Sequence, residues 1–253
     1  MSDKLVSCII PVFNHEKWVE RAIHSVATQD YQNKRIVVVD DGSQDNSYGE
    51  ILSILKDKRS IREEEGLSVN LGTIFGIKSL VFHFDKNNGP SIARNYAIKS
   101  AWDGTDYFAF LDSDDFYLPG KISKSVEIFN ENPIIGEVYS DYSTINIHTG
   151  FTQRQFKEPF SFSRLTQECI INNDSLISKK AIETVGMYDE NLRVCEDYDL
   201  HLRINEKFIS VHIPEDLVGI SVGRHSSTSM VSQEMWNSCY KRVFDKFRER
   251  HSG

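Results

Sequence analysis

The chain has 253 residues, a formal net charge of −8 and ordinary hydrophobic content. That length holds one large domain or two small ones. The acidic balance excludes a sequence-independent grip on nucleic acid, which needs many Lys and Arg on phosphates.

Cys8, Cys169, Cys195 and Cys239 are scattered, with no Cys-x-x-Cys pair. That spacing argues against a zinc knuckle or a disulfide framework and for a reducing compartment. Polar Ser2-Asp3-Lys4 runs straight into the first strand, with no signal-peptide pattern before it. No apolar run approaches the length of a membrane span. The expectation is a soluble cytoplasmic protein.

Val6 to Val12 is a near-continuous apolar run, as in a strand buried on both faces. His15 to Ala27 then shows helical spacing through Trp18, Ala22, Ile23 and Val26. Ile36 to Val39 is a second buried strand, ending in Asp40-Asp41-Gly42-Ser43. Asp45 or Asn46 can cap the next helix, which carries Ile51, Ile54 and Leu55. Residues 57–78 mix charge with apolar residues and read as a solvated surface insertion, the sharper alternative being a lobe for an acceptor or partner. Leu80 to Phe84 is a third strand, followed by a loop and a helix over Ile92 to Ala101. Tyr107 to Leu111 is a fourth, running directly into Asp112-Ser113-Asp114-Asp115.

This alternation predicts an α/β fold, a Rossmann-like, mostly parallel sheet flanked by helices. Ligands of such sheets bind beyond the carboxyl ends of the strands. Polar residues fall at those ends: Asn14, Asp40 and Asp41, Asn87, and Asp112. Carboxylates packed as closely as Asp112, Asp114 and Asp115 repel one another unless cations or water neutralise them. Strand alternation would put Asp112 and Asp114 on one face, an oxygen clamp for a hard divalent cation.

The second half is less regular. Gly136 to Ile147 and Asn173 to Ile177 read as strands, Lys179 to Val185 and Asp199 to Asn205 as helices, and Phe208 to Ile213 and Leu217 to Val222 as two more strands. Met230 to Arg250 reads as an amphipathic helix with Trp236, Tyr240, Val243 and Phe247 on one side. Those aromatics either pack on the domain or, with the nearby Lys and Arg, meet an anionic membrane surface. With no repeat and no low-complexity linker, the chain reads as a single domain over 1–253. Its nucleotide-side half covers about 1–115, its mixed acceptor-side half about 116–228, and its terminal helix about 229–253.

Ordered motifs carry a resemblance from about Val6 to His225. They are Ser7-Cys8-Ile9-Ile10-Pro11-Val12-Phe13-Asn14, Val38-Val39-Asp40-Asp41-Gly42-Ser43-Gln44-Asp45, Asn87-Asn88-Gly89-Pro90-Ser91-Ile92-Ala93-Arg94-Asn95, Phe110-Leu111-Asp112-Ser113-Asp114-Asp115 and Cys195-Glu196-Asp197-Tyr198-Asp199-Leu200. In this order they resemble the family-2 inverting glycosyltransferases of the GT-A fold. The resemblance implies a nucleotide-sugar donor, with a moderate preference for UDP, and a Mn²⁺ or Mg²⁺ ion that stabilises the departing diphosphate as a Lewis acid. It implies that Asp114 ligates the metal, that Asp112 meets the ribose or the metal, and that His225 in Gly223-Arg224-His225 completes the ligand set. Pro11, Phe13, Asp41 and Asn87 would line the base pocket, with Asp41 accepting from a ring N–H. Arg94 would lie near the base or diphosphate, and Ser113 beside Asp112 in the nucleotide site. Asp197 matches the family's base, which takes the proton from the acceptor hydroxyl, and Glu196 would orient the acceptor. Asp115 reads as structural. The remaining histidines, His15 and His201 among them, have no comparable context. A carbohydrate or lipid-linked glycan acceptor, bacterial surface polysaccharide synthesis and a position at the inner face of the membrane follow from the resemblance alone.

Rival readings are weaker. A two-metal nuclease or phosphatase also clusters Asp, but needs none of the motifs on the other strand ends. A dinucleotide-dependent oxidoreductase needs Gly-x-Gly-x-x-Gly after the first strand, where this chain has Phe13-Asn14-His15. A non-catalytic nucleotide- or sugar-binding module would keep the pocket without needing Asp197.

Overall fold

The computed structural model describes residues 4–64, 66–223 and 231–252. Strand β1 (Val6–Val12) leads to helix α1 (Val19–Ala27), then to β2 (Lys34–Asp40) and α2 (Ser47–Ile54). Helix α1 starts later than its spacing predicts because the segment before it is a turn, with Trp18 N–H donating to the His15 carbonyl at 2.9 Å. Asp45 satisfies the start of α2, its Oδ1 accepting the Ser47 N–H at 2.9 Å, while Asn46 makes no side-chain cap.

The segment read as a solvated insertion is instead a pair of sheet strands. Strand β3 (Leu55–Glu64) pairs antiparallel with β4 (Leu67–Ile74), which pairs antiparallel with β5 (Ile77–Phe84) along its whole length. Asn70 and Ile74 of β4 are buried. The β4–β5 connection is Phe75-Gly76, both with positive φ (49° and 80°). That is the backbone of a tight hairpin turn, whose usual sequence signal is Asn-Gly or Asp-Gly. A phenylalanine in the left-handed position hid it.

The chain continues through α3 (Pro90–Ser100), β6 (Tyr107–Phe110), β7 (Phe116–Tyr117), α4 (Lys121–Glu131), β8 (Ile135–Asn146), β9 (Thr152–Gln155) and α5 (Phe162–Leu165). It ends with β10 (Leu176–Ser178), α6 (Lys179–Val185), α7 (Glu196–Asn205), β11 (Ile209–Val222) and α8 (Gln233–His251). The two strands expected around Pro214 are one, β11, whose pairing with β8 shifts register between Ile213 and Asp216. Proline cannot donate to a ladder, so a bulge absorbs it and the strand continues.

One sheet runs β3-β4-β5-β2-β1-β6-β10-β8-β11-β7, with β9 beside β8. The pairs β5/β2, β2/β1 and β1/β6 are parallel, so their carboxyl ends share one edge. Beyond β6 the sheet is mixed, because β10 runs antiparallel to both β6 and β8. Alternate residues of β1 feed opposite cores: Cys8 and Ile10 meet α1 and α4 on one face, while Ile9 meets α3, α6 and α7 on the other. That two-sided burial is why β1 reads as an unbroken apolar run. A third cluster joins Tyr139, Tyr198 and Leu202 to Val243, Phe244 and Phe247 of α8. The aromatic face of α8 therefore packs on the domain.

Candidate active site

The parallel strand ends open into a cavity of about 610 Å³. Its wall contains Pro11 and Phe13 after β1, Asp41 after β2, Asn87 after β5, Arg94 on α3, and Asp112, Ser113 and Asp114 after β6. Glu196 and Asp197, at the start of α7, line it as well. Every candidate site residue named from the sequence thus lines one space, apart from His225, which lies outside the described residues.

Asp41 holds the β2 and β5 loops together. Its carboxylate accepts the backbone N–H groups of Asn88 and Gly89, each at 2.8 Å, and Asn87 Nδ2 donates to its carbonyl at 3.3 Å. Burial pushes the Asp41 carboxyl up to about 6, against the pull of those donors. Gly42 (φ +72°) lets the two loops touch, since a β-carbon there would collide with the backbone of Lys86 and Asn87.

The acidic tetrapeptide is a turn, which corrects the strand-alternation argument. Strand β6 stops at Phe110, and Asp115 N–H donates to the Asp112 carbonyl at 3.0 Å. The turn, not a pleat, brings ligand oxygens of Asp112, Asp114 and Asp115 within 4.8 Å of one another. Such an all-oxygen set suits a hard cation like Mg²⁺ or Mn²⁺. Asp115 already has a structural task, its Oδ1 accepting the Ser221 N–H at 2.8 Å. Ser221 Oγ also donates to the Asp114 carbonyl at 2.6 Å. The end of β11, a few residues before His225, is therefore fastened to the acidic turn.

Arg94, expected near the base or diphosphate, lines the cavity with its guanidinium already committed. It bridges Asp112 Oδ1 and Glu196 Oε1, each at 2.7 Å, and lies 5.4 Å from the Tyr188 ring centre. At 3% exposure it is a buried strut between the two acidic clusters. Its own pKa is raised: burial opposes the charge, but Asp112 and Glu196 outweigh it. Burial and the neighbouring Asp197 push the Glu196 carboxyl up, with Arg94 pulling the other way. Acids at a helix start are otherwise favoured by its dipole, and α7 carries Glu196, Asp197 and Asp199 in its first turn. Cys195, with φ 61°, turns the chain sharply into that helix.

The cavity wall also holds residues the sequence did not announce. His15 Nδ1 lies 2.6 Å from Ser113 Oγ. Asn173 donates to Asp112 at 3.3 Å. Asn173 precedes a strand rather than following one; because β10 is antiparallel, its start lies at the edge where the parallel strands end. Arg193, and Met235 and Trp236 of α8, complete the wall. Trp236 carried a weak signal, an aromatic on the apolar side of an amphipathic helix.

The sequence model described as glycosyl transferase family 2 matches residues 7–182. A Rickettsia felis protein described as an uncharacterized glycosyltransferase is 31% identical over 238 residues, 91% of this chain and 35% of that protein. The chain thus spans about a third of that relative's length. The Escherichia coli UDP-Glc:alpha-D-GlcNAc-diphosphoundecaprenol beta-1,3-glucosyltransferase WfgD is 30% identical, over 67% of this chain and 58% of its own. Among solved structures, S. aureus TarS 1–349 in complex with UDP-GlcNAc superposes with a TM-score of 0.70 at 18% identity, covering 90% of this chain and 61% of that one. The Pyrobaculum calidifontis mannosyltransferase PcManGT, in complex with GDP-Man and Mn²⁺, gives 0.63 at 14% identity, covering 89% and 59%. At these identities the structures show the fold, which is of the GT-A type. With the family model matched over most of its length, the chain belongs to glycosyl transferase family 2.

Proposed function

We propose that the chain catalyses inverting transfer of a sugar from a UDP-sugar to a hydroxyl of a carbohydrate or lipid-linked glycan acceptor. One observation carries this reading: groups from separate strand ends and the Glu196-Asp197 pair of α7 line a single cavity, with Arg94 joining its two acidic clusters. In this reading Pro11, Phe13, Asp41 and Asn87 hold the base, and Asp112 and Ser113 face the ribose. Asp112, Asp114 and His225 hold a Mn²⁺ or Mg²⁺ ion, which when bound offsets negative charge on the diphosphate. Asp197 takes the acceptor proton as that oxygen attacks the anomeric carbon and the bond to UDP breaks. Attack opposite the leaving group inverts the anomeric configuration. Glu196, fixed by Arg94, orients the acceptor beside the base.

The relatives favour this donor and acceptor class. WfgD is named for UDP-Glc and a diphosphoundecaprenol-linked acceptor, and TarS is seen with UDP-GlcNAc. PcManGT is seen with GDP-Man, so the fold alone leaves the base open, and Asp41 is the residue on which the UDP assignment rests. A lipid-linked acceptor would place the protein at the inner face of the membrane, in surface polysaccharide or glycoconjugate synthesis. Among the described residues no helix is long and apolar enough to cross a membrane, and the aromatic face of α8 is turned to the domain. The exposed Lys241, Arg242 and Arg248 of α8 would offer such a lipid surface positive charge.

The test is a panel of UDP- and GDP-sugars with glycan and polyprenyl-diphosphate glycan acceptors, in Mn²⁺, Mg²⁺ or chelator. The expected result is acceptor-dependent UDP release in metal, with a product of inverted anomeric configuration by NMR. Preference for a GDP-sugar, or a retained configuration, would sink the reading.

A further inference from the structure

A second set of ligating side chains, apart from the acidic turn's own cluster, includes Asp197. Ligand atoms of Cys169, Asp197 and His201 all fall within 4.8 Å of one another. Asp197 and His201 are four positions apart on α7, which puts them on the same helix face. Cys169 comes from the loop after α5; the residue is exposed, but its thiol donates to the Ile171 carbonyl at 3.4 Å, and burial and Asp197 hold its pKa well above the usual thiol value.

His201 is the informative member. It is 1% exposed, and its Nε2 has no hydrogen-bond partner among the described residues. Its Nδ1 stands 2.8 Å from Glu137 Oε1. Glu137 is fully buried and held by Ser175 Oγ at 2.6 Å and Ser210 Oγ at 3.1 Å. With Nδ1 on that carboxylate, the buried Nε2 is the unsatisfied atom, and such an atom calls for a water or an ion. A carboxylate on one ring nitrogen is the usual support of a metal-bound histidine.

The donor set decides the kind of ion. Thiolate and imidazole with one carboxylate favour a borderline cation such as Zn²⁺ and leave a fourth position open. The Asp112–Asp115 turn offers only oxygens, so the two places would sort cations by softness. Lys157 lies close enough to affect both Cys169 and His201, and its ammonium would oppose a cation. Burial pushes the Lys157 pKa down, which eases that opposition.

We propose that Cys169, Asp197 and His201 form a site for a thiophilic divalent cation of the Zn²⁺ class, and that its occupation withdraws Asp197 from catalysis. The second half of that statement rests on Asp197 being the base; the first does not.

The test is a Co²⁺ titration of the full chain without nucleotide, followed by near-ultraviolet thiolate-to-cobalt absorption. The expected band saturates at one equivalent, disappears in Cys169→Ser, persists in Asp114→Ala, and needs at least about tenfold more Co²⁺ in His201→Gln. Melting in metal-free buffer checks that each variant folds, and Zn²⁺ should raise the midpoint of the parent but not of Cys169→Ser. No thiolate band, or a band that survives Cys169→Ser, overturns the site. In a UDP-release assay with Mn²⁺, added Zn²⁺ should inhibit the parent and spare Cys169→Ser. Equal inhibition of both overturns the regulatory half. A parent with no turnover on any donor would instead sink the transferase reading, while the cobalt band still reports on the site.

Discussion

Arg94 is the residue on which both acidic clusters depend. Removing one partner of a buried ion pair leaves the others uncompensated and costs about 3–5 kcal/mol. Arg94→Met should lower stability by about 3 kcal/mol in urea unfolding, and Arg94→Lys should not restore it, since one ammonium cannot span Asp112 and Glu196 as the guanidinium fork does. Asp41 gives a pH signature. Its carboxyl, raised from 3.8 to about 6, keeps its proton to higher pH in the folded than in the unfolded state. Its stabilising contribution is therefore full below the unfolded value and lost as pH rises through the folded one. The stability of the parent relative to Asp41→Asn should fall by about 2–3 kcal/mol between about pH 4 and 7, and a flat difference would contradict the assignment. The residue types at the site were legible because each stands at a strand end or helix start with its own motif. The partners of Arg94 were not, because a contact between α3 and α7 has no trace in local spacing. His201 was passed over for the same reason: only the fold sets it against Glu137 and Cys169.

Element by element, periodicity worked where burial imposes it. The β1, β2 and β6 strands are buried on both faces and read as apolar runs. The β3–β4 pair is half exposed and carries charge, and β4 turns into β5 on Phe75-Gly76, so the segment read as a solvated insertion. The acidic turn shows how a correct residue set can rest on a wrong local geometry: the aspartates converge through a turn tied to Ser221, not through strand alternation. Helix α8 links stability to the site. Lys246 Nζ reaches Asp199 at 2.7 Å and Asp189 at 3.0 Å, and Asp199 is fully buried on the helix that carries Asp197. Arg203 also pairs with Asp199, at 2.8 Å. Lys246→Met should therefore cost less than losing Arg94, about 1–2 kcal/mol by thermal or urea unfolding. An unchanged midpoint would mean that α8 is not anchored there.

Across the molecule, the sequence order of alternating strands and helices announced the parallel half, and the ligand edge followed from it. The mixed half was harder. Strand β10 approaches antiparallel, so Asn173, in the loop before it, enters the site from the end that the carboxyl-edge rule does not cover. The account's central claim divides the cavity's labour: Asp112 and Asp114 serve donor and metal, and Asp197 serves the acceptor. One paired measurement tests it, Mn²⁺-dependent UDP affinity and UDP release from the best UDP-sugar for the parent and Asp197→Asn. The account predicts unchanged affinity and a rate lower by about 10²–10⁴-fold. Parental turnover by Asp197→Asn would contradict it.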